Sequence, residues 1–220
     1  LSAMSMTTIP APAQPPGSAL PTTSARLVQF TDTHLMRDPA GSIRGARTLP
    51  RLQACLAHAR QHYFPVDAIL LTGDVVHDEP EAYGAIDLLF GDLGAPVLVI
   101  PGNHDIPDEM RRQLGHAPFQ VGGQWRTHNG WQLLLLESWF AESADGEGRL
   151  GSAQLQAVER ALADHSDPHA LVVLHHPPPQ RPHAALALLR RHRQRLPDVR
   201  RQPVDVVRVD DHCALELARG

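Results

Sequence analysis

The chain has 220 residues, a mass of 24.1 kDa and a formal net charge of −4, with 42% hydrophobic and 20% charged residues. This length suits one domain with a proper core, and no apolar run approaches the roughly 18 residues of a membrane span. The negative charge argues against a general nucleic-acid binder. All 20 basic residues are Arg, which excludes lysine-based chemistry such as that of a phosphate-binding-loop lysine.

The ends of the chain differ in composition from its middle. Residues 1–24 are rich in Pro, Ala, Ser and Thr and contain no apolar signal core, so we expect a flexible leader before a single domain at 25–220. Residues 181–220 form an atypical Arg-rich tail. Two cysteines, Cys55 and Cys213, are too few for a disulfide framework, and Cys55 is expected to be a small buried hydrophobe. These features favour a reducing, cytoplasmic location.

Strands and helices alternate through the first half of the chain. Apolar runs of four to six residues predict strands, and apolar residues at helical spacing predict the helices between them. The predicted strands are 26–31, 67–72 and 97–100, and the predicted helices are 50–62 and 79–90. Alternation of this kind is typical of a layered α/β domain.

The second half repeats the theme. We predict a strand at 131–137 with a hairpin partner at 125–128, a helix at 152–164 and a strand at 170–174. In the tail, the predicted elements are a basic helix at 182–195 and strands at 204–209 and 214–217, which would close the domain. The basic face of that helix is most simply a solvated one.

Four predicted strands end in side chains that bind metals. These side chains are Asp32 and His34, then Asp74, then Asn103 and His104, and finally His175. Because the carboxyl ends of strands in open α/β sheets converge on one crevice, we expect these side chains to meet. Gly73 and Gly102 allow the sharp turns that such an arrangement needs.

Carboxylate, imidazole and amide ligands suit Mn, Fe or Zn rather than a structural thiolate zinc site. One Asp with ligands on both sides could bridge two ions. Two ions about 3.5–4 Å apart can hold a hydroxide and clamp the attacking and leaving oxygens of a displacement at phosphorus. The residues therefore predict two divalent or trivalent metal ions and phosphoester chemistry.

The ordered blocks Asp32-x-His34, Gly73-Asp74, Gly102-Asn103-His104-Asp105 and His175-His176-Pro177 resemble those of the calcineurin-like metallophosphoesterases. The resemblance covers about residues 26–178. It implies an α/β fold of the four-layer αββα sandwich type. A shortened C-terminal part of this fold stays an alternative. The phrases around Asp74 and Asn103 are most similar to the bacterial cyclic-nucleotide phosphodiesterase branch, and so is Gly148-Arg149-Leu150-Gly151.

The resemblance also implies a role for each residue. Asp32, His34 and Asp74 would bind the first ion, and Asp74 would bridge to a second ion held by Asn103 and His175. His104 would be catalytic beside the scissile phosphate, with Asp105 orienting it and Asn103 also near the substrate. His176 is expected to pack or to support the ligands, and His77 and Asp78 are expected to be solvated loop residues.

The sequence lacks the Gly-His-x-His block that normally closes the family's metal site. One alternative is that Asp210 and His212, after the strand at 204–209, take its place as ligands. The other is that the Arg-rich tail departs from the family's C-terminal segment, which would leave the site one or two ligands short.

We therefore expect a two-metal phosphoesterase that hydrolyses phosphodiesters, with a 3',5'-cyclic nucleotide such as cyclic AMP as the substrate implied by the resemblance. A bridging hydroxide would attack phosphorus. The alternatives are a phosphatase or nuclease with the same centre, and a degenerate, non-catalytic or weakly metal-binding regulatory domain. The expected partner is a small phosphoester; neither membrane nor nucleic acid is expected, and a homodimer stays open.

Overall fold

The computed structural model describes residues 24–127, 130–140, 148–163, 169–176, 204–209 and 215–219, with the last two ranges described for the backbone only. The expected leader, the predicted helix at 182–195 and the candidate ligands Asp210 and His212 lie outside these ranges. None of the helices in the described part of the chain has the length and apolarity needed to span a bilayer.

A six-stranded sheet combines four strands from the first half of the chain with the last two. Its strands, in chain order, are β1 (Ala25–Phe30), β4 (Ala68–Thr72), β5 (Val97–Ile100), β6 (Phe119–Val121), β10 (Val204–Val209) and β11 (Leu215–Arg219). Their order in the sheet is β11-β10-β1-β4-β5-β6. All neighbouring strands run parallel except β10 and β11, which pair antiparallel. Because β1, β4 and β5 are parallel neighbours, their carboxyl ends lie side by side.

A second, three-stranded sheet has the order β7-β8-β9. Its strands are β7 (Gly123–Arg126), β8 (Trp131–Leu135) and β9 (His169–Val173), and a two-stranded hairpin of β2 (Ser42–Ile43) and β3 (Ala46–Arg47) lies in the loop after β1. β7 pairs antiparallel with β8, and β9 pairs parallel with β8. The predicted hairpin partner of the strand at 131–137 is thus confirmed.

In the described ranges, four α-helices and one 3₁₀ turn connect the strands. They are α1 (Thr48–His62), the 3₁₀ turn Pro80–Ala82, α2 (Tyr83–Phe90), α3 (Pro107–Leu114) and α4 (Ser152–Ala163). α3 begins at Pro107, followed by Asp108 and Glu109, and carries Arg111 and Arg112 in its last turn. Pro is tolerated there because the first amides have no intrahelical partner, and the charges complement the helix dipole.

Alternation along the strands sorts the core into layers. Odd-numbered positions of β4 and β5, such as Ile69 and Val99, are buried against the helices α1–α3, whereas Leu70 and Leu98 face the other way. Those side chains pack with Leu133 of β8 between the two sheets. The outer face of the second sheet packs on α4 in a third cluster, which contains Leu134, Leu136, Val158, Ala161 and Leu162.

The order of layers is therefore helices, sheet, sheet, helix, which confirms the expected αββα sandwich. The predicted strands and helices of the described part are all present, with bounds that differ by no more than two residues, except that the helix predicted at 79–90 begins as a 3₁₀ turn. α3, the short strand β6 and the β2–β3 hairpin were not predicted. Cys55 is buried in the core, as expected.

Candidate metal centre

The loops that follow β1 and β4 are joined along their backbones. The Asp32 amide donates to the Gly73 carbonyl oxygen at 3.0 Å, and the His34 amide donates to the Asp74 carbonyl oxygen at 2.8 Å. Leu35 then forms a bridge with Val76. Because strands β1 and β4 are parallel neighbours, this extension of their pairing brings both ligand candidates of the first loop beside Asp74.

The Asp74 carboxylate lies between two imidazoles, with one oxygen toward each. Its Oδ2 is 3.6 Å from Nε2 of His34, and its Oδ1 is 3.5 Å from Nε2 of His175. The side chain is only 6% exposed. Its Oδ1 also accepts a hydrogen bond from the His104 amide at 2.9 Å, which fixes the carboxylate against the loop after β5.

His175 follows β9 and reaches across from the second sheet. Its Nδ1 is 2.8 Å from the Thr72 carbonyl oxygen, which can only accept, so Nδ1 must carry the proton. The remaining nitrogen, Nε2, then presents its lone pair toward Asp74. A backbone carbonyl bound to the distal nitrogen is the usual way in which a metal-ligating histidine is oriented.

Two glycines make room for this approach. Gly73 has φ +94°, and a Cβ at that position would collide with the His175 ring. A Cβ on Gly102 would collide with both the backbone amide and the carboxylate of Asp74, and it would lie 2.8 Å from Nε2 of His175. Both glycines are therefore required by close packing of the site, as well as by the turn at Gly73.

The donor set fits metal ions. Asp32, His34 and Asp74 each offer a ligand atom within 4.8 Å of the others. Two ligand atoms that are each about 2.1 Å from one ion lie roughly 3–3.5 Å apart at octahedral or tetrahedral angles, close to the spacings at Asp74. Burial lowers the pKa of His34 from its usual value, which favours the neutral imidazole that binds metal.

Three histidine rings gather at one side of this centre. His104 lies 5.1 Å from His34 and 4.5 Å from His77 between ring centroids, and the Nδ1 atoms of His34 and His77 are 3.2 Å apart. The Nδ1 atom of His104 is 3.1 Å from the Asp78 carboxylate. The interpretation of His77 and Asp78 as solvated loop residues missed both contacts, although their position just after the Asp74 block was a signal for them.

Asp105 joins two loops of the site. Its carboxylate accepts hydrogen bonds from the amides of Val75, Val76 and Gly102 and from the Tyr83 hydroxyl, at 2.9–3.2 Å. These bonds hold together the loops after β4 and β5. The carboxylate that contacts Nδ1 of His104 is that of Asp78. The orienting role expected of Asp105 stays a prediction.

Burial also affects ionisation around Asp105. The residue is 3% exposed, and desolvation raises the pKa of its carboxyl to about 6, although the donated hydrogen bonds act in the opposite direction. Burial, reinforced by the nearby Asp105 charge, raises the pKa of Tyr83 as well, so this phenol remains a hydrogen-bond donor.

Several residues of the site have left-handed backbone. The φ angles are 55° at Asp32, 43° at His34, 49° at Asp74 and 60° at Asp78. Non-glycine residues adopt such angles rarely, and in folded proteins they concentrate at functional sites where the surroundings compensate the strain. Here the backbone bonds between the first two loops provide that compensation.

Two further predicted residues, Asn103 and His176, are each adjacent in the chain to a residue that contacts Asp74. Asn103 is half-buried between Gly102 and His104, both of which adjoin Asp74. His176 contacts the ring of His175 at 4.8 Å between centroids and the Ser138 hydroxyl at 2.8 Å from its Nδ1, and a Cβ on Gly148 would collide with its ring. It therefore packs the loop that carries the Gly148–Gly151 sequence against the end of β9.

An αββα sandwich with Asp and His side chains meeting at the carboxyl ends of its strands defines a metal-dependent phosphoesterase architecture. The family model for calcineurin-like phosphoesterases matches residues 25–207 of this chain. The chain belongs to the calcineurin-like phosphoesterase family, whose members use divalent metals.

Curated relatives match about 70% of the chain. A probable cyclic nucleotide phosphodiesterase of Synechococcus sp. is 35% identical over 69% of this chain and 58% of its own length. The 3',5'-cyclic adenosine monophosphate phosphodiesterase CpdA is 35% identical in Escherichia coli and 32% in Haemophilus influenzae, over 70% and 69% of this chain and 55% of each relative. The chain thus spans little more than half the length of these relatives.

Among solved structures, a dimetal phosphatase from Danio rerio superposes with a TM-score of 0.48 and 12% identity, covering 77% of this chain and 75% of that one. A likeness at this level carries no argument about the site.

Proposed function

We propose that this chain is a metal-dependent phosphodiesterase that hydrolyses 3',5'-cyclic nucleotides such as cyclic AMP. The observation that carries the proposal is Asp74, whose two carboxylate oxygens face Nε2 of His34 and Nε2 of His175. A carboxylate shared in this way can bridge two ions. The names of the relatives favour a cyclic nucleotide over other phosphoesters.

In this proposal Asp32, His34 and Asp74 hold one ion, and Asp74, Asn103 and His175 hold the other. Asp210 and His212 complete the ligand set. Two bound ions of Mn, Fe or Zn would lower the pKa of a water molecule and neutralise charge on the phosphate. The chain's own residues orient the substrate, with Asn103 and His104 beside the phosphate. We further take residues 25–220 as one domain after a leader.

His104 acts on the leaving oxygen. Asp78 accepts a hydrogen bond from Nδ1 of His104, so the nitrogen left for the substrate is Nε2. As the imidazolium, with a proton on each nitrogen, the ring can donate the Nε2 proton to the departing alkoxide and keep its Nδ1 proton on Asp78. Asp105 contributes by fixing the loop that carries His104, through the Gly102 amide.

The test is hydrolysis by the purified chain of cyclic AMP and of a chromogenic diester, after chelation and reloading with Mn, Fe or Zn. We expect diester hydrolysis that requires metal, two equivalents of bound ion, and loss of both in Asp74→Ala. Single-stranded DNA and a phosphopeptide are the comparison substrates, and preference for either would favour a nuclease or a phosphatase instead. One ion or none, without hydrolysis of any substrate, would support the degenerate-domain alternative.

His212→Ala tests the tail separately. If His212 is a ligand, this variant binds one ion more weakly than the unaltered chain. Unchanged metal content and activity would remove Asp210 and His212 from the site.

A further inference from the structure

We propose that His77 is a positioning residue for the first metal ion, acting through His34. The inference rests on the proposed function, because it assumes that His34 binds an ion through Nε2. Its starting point is the short spacing between two imidazole nitrogens: Nδ1 of His77 is 3.2 Å from Nδ1 of His34.

This spacing determines which nitrogens carry protons. Nε2 of His34 lies on the Asp74 side and must keep its lone pair to bind a metal, so Nδ1 of a neutral His34 is protonated. Nδ1 of His34 is then the donor, and Nδ1 of His77 is the acceptor. His77 in turn carries its own proton on Nε2. A ligating imidazole needs such an acceptor to fix its orientation and to raise its basicity, and that acceptor is ordinarily a carboxylate, a carbonyl or water.

His77 is held in place from several directions. Its amide donates to the Leu35 carbonyl oxygen at 3.0 Å, which ties it to the loop carrying His34. The next amide, that of Asp78, donates to the His104 carbonyl oxygen at 3.0 Å. Its ring packs over the ring of His104 with an interplanar angle of 32° and contacts the ring of His34 at 78°. The acceptor is therefore supplied by a fixed ring rather than by an exposed side chain.

A competing interpretation is that the three histidines themselves hold an ion. Their nearest ligand atoms do lie within 4.8 Å of one another. However, an ion on Nδ1 of His34 in addition to one on Nε2 would require the ring to lose both protons and bridge as an imidazolate. A hydrogen bond between His34 and His77 needs no such step. It leaves the ion to Nε2 of His34 and to the carboxylates of Asp32 and Asp74, which a hard divalent cation prefers.

The experiment compares His77→Phe with His77→Asn. Phe keeps a ring over His104 but has no acceptor, whereas the Asn carbonyl can place an oxygen near the position of Nδ1. Metal-free protein is titrated with Co²⁺, followed by its visible absorption, in competition with a chelator. We expect one of the two binding steps to weaken about 10- to 100-fold in His77→Phe, with an altered Co²⁺ spectrum, and to recover largely in His77→Asn. His58→Phe, an exposed histidine on α1, is the matched control.

The outcomes separate this inference from the proposed function. Wild-type affinity and spectrum in a folded His77→Phe variant would overturn the positioning role while leaving the two-metal site intact. Complete loss of one ion equivalent in both His77 variants would overturn it too, since His77 would then be a ligand. If the unaltered chain binds no Co²⁺, the proposed function itself fails.

Discussion

At the scale of single residues, the site contains two carboxylates, Asp105 and Asp78, that lie in neighbouring loops and make different contacts. Asp105 is buried and accepts four hydrogen bonds, three of them from backbone amides, so it joins loops. Asp78 lies beside Nδ1 of His104, with a side chain that is 65% exposed, so it can act on the ring that we propose to meet the substrate. The two roles predict different effects of mutation, on stability for Asp105 and on turnover for Asp78.

Asp105→Ala is expected to unfold the chain more readily. Removing the carboxylate leaves four donors without their acceptor, and buried donors left unpaired cost about 1–3 kcal/mol each before relaxation. We expect a loss of about 3–5 kcal/mol in the free energy of unfolding, measured by urea denaturation, comparable to breaking a buried charged network. Tyr83→Phe removes one of the four bonds to Asp105 and the bond from the Ile106 amide to the hydroxyl, and should lose about 1–2 kcal/mol. Equal losses for the two variants would contradict the joining role.

Asp78→Asn should reduce turnover without reducing metal content. The amide no longer offers a charged acceptor to Nδ1 of His104, and the contribution of such acid–base groups is about 10²–10⁴-fold. We expect kcat for diester hydrolysis to fall at least 10-fold, with bound metal measured by plasma emission unchanged. Asp92→Asn, at an exposed position outside the site, is the control. Parallel loss of metal and turnover would mean that Asp78 supports an ion instead.

At the scale of elements, the strand ends and the glycines after them form a unit. Gly73→Ala and Gly102→Ala should both impair the second ion site, because either Cβ collides with Asp74 or His175. Gly84, within α2, has open space around a Cβ, so Gly84→Ala should stabilise the helix by about 0.5–1 kcal/mol.

Calorimetric metal titration of the three glycine variants provides the measurement. We expect at least a 10-fold weaker second binding step for Gly73→Ala and Gly102→Ala, and an unchanged one for Gly84→Ala. Full affinity in both site variants would show that the loops can shift away from the added methyl group.

Sequence periodicity predicted the long elements well because burial dictates their pattern. β4 and β5 are continuous apolar runs since both faces are covered, and such runs stand out. α3 was missed because only Met110 and Leu114 are buried, although Pro107 and the flanking charges signal a helix start. β6 has three residues with one fully buried, too few to show a period.

The site was predictable at its strand ends and not beyond them. Strand-end position and ligand type were sufficient to bring together Asp32, His34, Asp74 and His175. The carboxylate that contacts His104 could not be predicted in this way. Adjacency in the chain favoured Asp105, whereas the loop geometry places Asp78, 26 residues earlier, against the ring. Which of two nearby carboxylates turns inward depends on tertiary packing rather than on local pattern.

At the scale of the whole molecule, the two sheets contact each other at the candidate metal centre as well as in the hydrophobic core. His175 belongs to the loop after β9 of the second sheet, yet its ring contacts the Thr72 carbonyl and Asp74 of the first. An ion held by both Asp74 and His175 would therefore link the sheets. Bound metal should stabilise the folded sandwich by mass action, by about 2.7 kcal/mol when free metal is 100 times its Kd.

The expected result is a higher Tm with Mn²⁺ than with chelator, and a clearly smaller difference in His175→Ala. Differential scanning calorimetry at fixed protein concentration measures both. Leu133→Ala, in the core between the sheets, should lower Tm equally with and without metal, since it removes about 2–5 kcal/mol of packing that is independent of the ions. An undiminished metal effect in His175→Ala would show that the ions do not connect the sheets.

The left-handed residues around the centre restrict how the chain could change by mutation. Asp, Asn and His are the side chains that most readily tolerate this conformation after glycine, and they are also the side chains that bind these metals. Backbone handedness and ligand chemistry thus admit nearly the same few residue types at Asp32, His34 and Asp74. A descendant of this protein could exchange one candidate ligand for another of these types and keep its fold, whereas a β-branched replacement would remove a metal-binding side chain and strain the loop in a single step.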